Sequence, residues 1–376
     1  MSGASPPEPD RIEGAPHPRE TLALIGQGAM ERSFLDAFKA GRLHPGSLIG
    51  RPRGGGKATL AWRIARFLLA TPDPGGQGGG LFDDARPAPD TLDVPADHPV
   101  ARRIRAGADP GLYHITRTVN DKTGRLRDGI VAEDVRKLSN FLHLSATDGG
   151  RRVVILDAAD DMTMQAANAL LKMLEEPPAR TTLLLVSHQP ARLLPTIRSR
   201  CRDLRLTPLG APDMAAALDQ AGVAPGGDAQ VLAELSAGSV GAAVRLINLD
   251  GLALYRTLIT LLGALPQPDR ASALKLAEAM AARGAEERFA LLLDLADVVM
   301  SRLARTGATG QPPLVEAAPG EAETLARLSP TPARARAWAA CAQQIGARLR
   351  HGRAVNLDPA ALVLDMVGQL KDTAAG

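Results

Sequence analysis

Apolar residues along this chain follow two regimes that change near residue 209. Before that point short apolar runs alternate with segments whose apolar residues recur every three or four positions; after it the helical spacing alone continues. The run Ser47-Leu-Ile49 enters a glycine-rich turn, and Leu60, Ile64, Phe67 and Leu68 then repeat at helical spacing. That order predicts strand, loop and helix. Residues 72–99, rich in Gly, Pro and Asp, hold no period and are expected to form a loop or insertion. Leu112-Tyr-His-Ile115 predicts a second strand, Asp121-Lys-Thr-Gly124 a turn, and Ala132–Leu144 a helix. Two runs of the fully buried type follow, Val153-Val-Ile-Leu156 leading into Asp157 and Thr182-Leu-Leu-Leu-Val186 leading into Ser187. Between them a helix is expected from Met164 to Glu176, stopped by Pro177-Pro178. This alternation implies a parallel sheet with helices on both faces, whose ligands sit at the carboxyl ends of the strands.

Beyond Leu209, residues 211–250 predict short helices broken at Gly222, Gly226-Gly227 and Gly238. Longer helices are expected over Leu252–Leu265, Ala271–Ala282, Glu286–Leu303, Ala333–Leu349 and Pro359–Leu370. A chain of 376 residues exceeds one ordinary core. The expected organisation is a polar leader over 1–20, an α/β domain over 21–208, a small helical domain over 209–250 and a larger helical domain over 251–376. No internal repeat is visible.

Composition changes this picture little. Apolar residues make up 45% and aromatic ones 3%, so the core is built from Ala, Leu and Val, which favours helices. The formal charge is +3, and seven of the 44 basic residues are Lys. An Arg bias of this kind fits a G+C-rich coding sequence before any nucleic-acid signature. Cys201 and Cys341 lie far apart without metal-type spacing, as suits a reducing compartment. There is no run of about 18 apolar residues to span a membrane, and the first residues lack the apolar segment of a signal peptide. A soluble, cytoplasmic protein is expected.

The candidate chemistry begins at Gly50-Arg-Pro-Arg-Gly-Gly-Gly-Lys57-Ala-Thr59. A phosphate-binding loop reads G-x-x-x-x-G-K-S/T between strand and helix: its backbone N–H groups surround phosphate, its Lys neutralises it, and its hydroxyl holds Mg²⁺. Gly54, Gly55, Gly56 and Lys57 suit that cradle. Arg51 stands at the first glycine's position and Ala58 at the hydroxyl's. Thr59 is no simple substitute, because one step along a helix turns a side chain by about 100°. Asp157 lies where an acid would bind Mg²⁺ or its water, or it simply forms a turn. Ala158 follows, where a carboxylate would polarise the attacking water. Asp160 and Asp161 fall on the next turn and are expected to cap the next helix. Ser187 occupies a sensor-like place or caps the following segment. Cys201 reads as a packed residue and His44 as a turn residue. Arg102-Arg103-Ile-Arg105 is either a solvated helix face or a contact to DNA phosphates.

Two long segments carry a resemblance: Gln165-Ala-Ala-Asn168-Ala-Leu-Leu-Lys172-Met-Leu-Glu175-Glu-Pro-Pro178, and Leu194-Pro-Thr-Ile-Arg-Ser199-Arg200-Cys201. Together they resemble the clamp-loader branch of the AAA+ family, which loads the sliding clamp of bacterial DNA polymerase III. The likeness extends to Leu24-Ile-Gly-Gln27, the loop at Lys57 and Gly238-Ser239, and beyond about residue 250 rests on helical pattern alone. It implies an AAA+ sheet domain, a helical lid and a C-terminal collar that joins subunits in a heteropentameric ring. Ala58, Ala158 and Gly241, the last where a motor subunit carries a sensor arginine, point to the subunit type that does not hydrolyse ATP. In related loaders the arginine of the Ser199-Arg200-Cys201 trio reaches a neighbour's ATP as an arginine finger. The partners implied are motor subunits and a delta subunit, with the sliding clamp and primer–template DNA reached through the complex. No cofactor is required, ATP or ADP held without hydrolysis stays open, and no zinc is expected, since residues 70–112 lack Cys. The alternatives are an active motor or other AAA+ ATPase, and a DNA-binding repair ATPase of similar fold. Polymerase or nuclease chemistry is disfavoured, because no set of carboxylates is clustered for two metals.

Overall fold

Short, unbroken apolar runs decide the architecture of the first part of the chain. The computed structural model describes residues 12–50, 54–72, 89–120, 123–124, 126–143, 150–225 and 228–376. Its strands are β1 (Gly46–Gly50), β2 (Leu112–Ile115), β3 (Arg152–Asp157), β4 (Thr181–Ser187) and β5 (Arg202–Leu204). All pair in parallel, in the order β2-β3-β4-β1-β5. Successive side chains on a strand face opposite ways. Val153, Ile155, Leu184 and Val186 therefore enter one core, and Val154, Leu156, Leu183 and Leu185 the other. Helices α1 (Gly28–Lys39), α2 (Lys57–Ala70) and α3 (Pro99–Arg105) cover the first face. Helices α4 (Ala132–His143), α5 (Met164–Glu175) and α6 (Pro195–Arg198) cover the second.

The expected strands agree with β1 to β4 to within a residue at each end, and the pattern did not single out β5. Only Leu204 of that strand is buried, so the alternation had nothing to repeat. Within the expected insertion the described residues 89–98 form no helix or strand, although Leu92 and Val94 pack into the first core, and α3 begins at Pro99. Arg102, Arg103 and Arg105 line the exposed side of α3, where Arg103 pairs with Asp109 at 2.9 Å. Residues 1–11 of the leader, Arg51, residues 73–88, the turn residues Asp121 and Lys122, Leu144 and Gly226-Gly227 lie outside the described residues.

The chain divides into two compact units. The first runs through Leu209 and takes in Ala216–Val223 and Ser239–Gly241; the second holds Gly210–Ala215, Ala224–Gly238 and Ala242–Gly376. Residues 209–250, with α7 (Ala211–Gln220), α8 (Ala229–Leu235) and α9 (Val240–Asn248), are thus shared between them. The second unit continues with α10 (Gly251–Gly263), α11 (Arg270–Ala281), α12 (Glu286–Thr309), α13 (Glu321–Leu328), α14 (Pro332–Ala354) and α15 (Pro359–Ala375). Helices α12 and α14 form its central pair, and α11 packs on α15. Trp338 of α14 is fully buried and its indole N–H donates to the Leu328 carbonyl at 2.8 Å. A polar node ties three helices: Glu321 of α13, wholly buried, accepts from the Tyr255 hydroxyl of α10 and from Arg302 of α12. Among the described residues no single helix is long and apolar enough to cross a membrane.

Candidate functional site

The carboxyl ends of β1, β4 and β3 share one rim, because Gly50 stands opposite Ser187 and Val186 opposite Asp157. Gly54–Gly56, the described part of the loop after β1, precede α2. Gly54 and Gly56 take positive φ angles of 77° and 79°, which glycine adopts without a Cβ clash. Gly56 is the N-cap of α2 and Lys57, buried, its first residue. Gly54, Gly55 and Gly56 thus lead directly into the amino end of α2, where Lys57 stands. Ala58 is partly buried against the first core and offers no oxygen ligand. Asp157 lies two strand spacings from β1, about 10 Å away across the sheet. It is buried, as are Ala158 and Ala159 after it. Ser187 is fully buried at the end of β4.

Gly241 reaches the same loop. Its N–H donates to the Gly54 carbonyl at 3.1 Å. A Cβ added at Gly241 would stand 2.9 Å from the Gly54 Cα and 2.4 Å from the Ile12 Cδ1. The position leaves no room for a side chain, so an arginine there would force the backbone apart.

Asp160 departs from the sequence expectation. Thr163 caps α5, its hydroxyl accepting the Ala166 N–H at 3.3 Å. Asp161 pairs with Arg117 at 3.2 Å. Asp160 instead accepts the N–H groups of His188 at 2.8 Å and Gln189 at 3.0 Å, fixing the turn that follows β4. That turn carries Pro190, whose Cγ lies 2.6 Å from where a Cβ on Gly50 would be, so it closes directly over the end of β1. Proximity in the sheet, which adjacent sequence does not reveal, outcompetes the local cap. Burial pushes the Asp160 carboxyl up, but the N–H donors outweigh it and the group titrates below the ordinary aspartate range. A depressed folded value means stability that is present above the unfolded pKa and lost as pH falls through the folded one. Asp160→Asn is therefore expected to cost about 1–3 kcal/mol at pH 7. Urea unfolding of both proteins should show the gap narrowing as pH falls toward about 3; a gap independent of pH would contradict this assignment.

The second cluster lies at the other end of the strands. Arg200 and Cys201 precede β5, and the Arg200 carbonyl and Cys201 Sγ lie 3.0 and 3.3 Å from where a Cβ on Gly46, the first residue of β1, would be. From Gly46 to Gly50 the strand advances about 13 Å, more than an arginine side chain can span toward its own loop. Arg200 is half-exposed; its guanidinium faces Glu175 at 2.9 Å and donates to the Thr196 carbonyl at 3.2 Å. The Ser199 hydroxyl donates to that carbonyl at 3.1 Å. Cys201 is partly buried, which pushes its thiol up to about 11 and makes it a packing residue rather than a nucleophile. Arg198 is exposed. His44 Nδ1 lies 2.7 Å from the Gly46 carbonyl oxygen and 3.1 Å from the Gly46 nitrogen, and so acts in the turn that enters β1.

The structure therefore brings Gly54, Gly55, Gly56, Lys57 and Asp157 to one end of the sheet, and Ser199, Arg200 and Cys201 to the opposite end. The sequence did not reveal the contacts of three contributors. Glu175 was visible only as part of a motif. Gln27 is buried and clasps the backbone of Thr207, giving to its carbonyl and receiving its N–H, both at 2.9 Å. Asp160 holds the turn over Gly50. All three act across long sequence separations and leave no local signal. Among the described residues no group of three or more His, Cys, Asp or Glu side chains could hold a metal ion.

A family model described as DNA polymerase III, delta subunit, matches residues 26–210. The DNA polymerase III subunit delta' of Escherichia coli K12 is 33% identical over 297 residues, which cover 78% of this chain and 80% of that protein. The chain belongs to the DNA polymerase III delta-prime family. The delta' subunit of Pseudomonas aeruginosa is 48% identical over 149 residues, 39% of this chain, and the match spans 43% of that relative's length. A DNA polymerase III subunit gamma/tau of Mycobacterium tuberculosis is 28% identical over 187 residues, 49% of this chain and 28% of that protein. For this delta-prime family member the family-model match includes both the loop at Lys57 and the Ser199-Arg200-Cys201 trio.

Proposed function

We propose that this chain is the non-hydrolysing delta-prime subunit of a DNA polymerase III clamp loader, lending Arg200 to the ATP site of a neighbouring motor subunit. The observation that carries the reading is the place of Arg200: half-exposed, at the amino ends of the strands, beyond reach of its own loop at the carboxyl ends. A guanidinium so placed serves an ATP bound to another protein. It offers a planar fork to the γ-phosphate and offsets the charge that develops there. Delta-prime and gamma/tau relatives support a place in such an assembly.

The chain's own site is read as degenerate. Its glycines and Lys57 suit a phosphate, so ATP or ADP can be held there without hydrolysis. Ala58, Ala158 and Gly241 leave Mg²⁺, the attacking water and the γ-phosphate without the expected protein ligands. No hydrolytic step is assigned to it. The helical second unit would join the motor and delta subunits, and the cytoplasmic complex would carry the sliding clamp to primer–template DNA.

Purified alone, the chain is expected to show no clamp- and DNA-dependent ATP turnover, measured by phosphate release with and without sliding clamp and primed DNA. Robust turnover by the lone chain would instead establish an active motor, the reading that the retained Lys57 and the gamma/tau similarity favour.

A further inference from the structure

We propose that Glu175 is a positioning residue for Arg200, holding the guanidinium in the orientation presented to the neighbouring subunit. This rests on the role of Arg200 proposed above. The carboxylate stands 2.9 Å from one terminal nitrogen of Arg200 while the Thr196 carbonyl takes the other at 3.2 Å. A guanidinium carries about five N–H donors in a fixed fork, so these two contacts set its plane and still leave donors for a phosphate.

Both arms of the pair are rooted in packed structure. Leu174, next to Glu175, is buried, and its Cδ2 lies 2.8 Å from the point where a Cβ on Gly46 would be. The Arg200 carbonyl meets the same point at 3.0 Å. Ile197, fully buried, anchors α6 just before the trio. The end of α5 and the turn carrying Arg200 therefore converge on the first residue of β1, and the ion pair bridges two fixed supports.

The location of Glu175 is not explained by its own helix. It is the last residue of α5, followed by Glu176 at the C-cap. Backbone carbonyls give a helix C-terminus partial negative charge, which disfavours a carboxylate there. Nor does the pair do much for folding, since both side chains are substantially exposed, at 38% and 47%. What the contact does is restrict a long, flexible arginine to one direction.

The test is ATP hydrolysis, stimulated by clamp and primed DNA, by a complex reconstituted with delta and motor subunits in which every motor site except the one Arg200 is proposed to serve carries a substitution of its loop lysine. Ordering a half-exposed arginine through a surface-type ion pair corresponds to about a two- to fivefold effect on rate. Glu175→Ala is expected to lower kcat by that factor with KM for ATP little changed, because the finger acts on charge developing in the transition state. Glu175→Gln keeps an oxygen acceptor and should restore most of the loss. In an Arg200→Ala background Glu175→Ala should add nothing. An unchanged or raised kcat in Glu175→Ala would overturn the inference, the second outcome revealing a latch that must release. So would an effect that persists without Arg200, which would mean a contact of Glu175 itself with the neighbour. If Arg200→Ala lowers turnover and Glu175→Ala does not, the arginine finger stands and this inference alone falls. If Arg200→Ala changes nothing, both fall together.

Discussion

Replacing Arg200 by alanine is expected to slow ATP hydrolysis at the motor site it is proposed to serve by about 10³- to 10⁵-fold, while the assembled complex keeps its subunits. In a ring with several motor sites the bulk signal falls by that site's share. The clearest measurement therefore uses a complex whose other motor sites carry substitutions of their loop lysines, with assembly followed by size exclusion. Arg200→Lys should not rescue the rate, because an ammonium lacks the planar fork. Misfolding is a poor explanation for a loss: Arg200 is half-exposed and its pair with Glu175 is of the surface type, worth about 1 kcal/mol or less. Unchanged turnover at the isolated site would remove the arginine finger.

The largest stability effect is expected at Glu321. Its carboxylate has no solvent exposure, faces the Tyr255 hydroxyl, and accepts from Arg302 at 2.8 Å and from the Ala317 N–H at 2.6 Å. Burial and the adjoining carboxylate push the Tyr255 phenol well above its usual range, so it stays a neutral donor. Glu321→Ala would leave Arg302, 5% exposed, with the more distant Glu234 at 3.5 Å as its remaining acidic neighbour among the described residues. An uncompensated buried charge costs about 3–5 kcal/mol. Urea unfolding followed by Trp338 fluorescence in a Trp62→Phe background would report on the helical unit, since the chain contains two Trp. A double change of Glu321 and Arg302 to apolar residues of similar volume should recover much of the loss. A cost below about 1 kcal/mol for Glu321→Ala would mean that Arg302 finds another counter-charge.

The legible parts of the fold were those under the strictest local constraint. A strand buried on both faces needs an unbroken apolar run. Val153–Leu156 and Thr182–Val186 therefore marked β3 and β4 closely, whereas β5, with one buried side chain, stayed invisible. Helix α12 runs to Thr309, past the Leu303 where its apolar pattern stops. Thr306 and Gly307 in that last stretch are nonetheless buried, Gly307 because the backbone of Ser329 and Thr331 passes over it. Neither is apolar enough to register in a hydrophobic pattern. At the site, the glycines, Lys57, Asp157 and Arg200 were visible from residue type and motif. Asp160 was read as a helix cap because only its neighbours in sequence were available, and its partners lie on another strand's turn.

By itself, then, the order of residues determined that a parallel sheet precedes a helical half, that a glycine-rich loop bears a lysine without its hydroxyl partner, and that one arginine sits in a distinctive trio. These are properties of local spacing and residue type. Tertiary structure alone decided that the loop and Arg200 occupy opposite ends of the sheet, that Glu175 faces that arginine, and that Gly241 seats against Gly54. Strand order and close backbone approach bring together residues separated by tens to hundreds of positions, and no spacing along the chain encodes which end of a strand a distant side chain will meet.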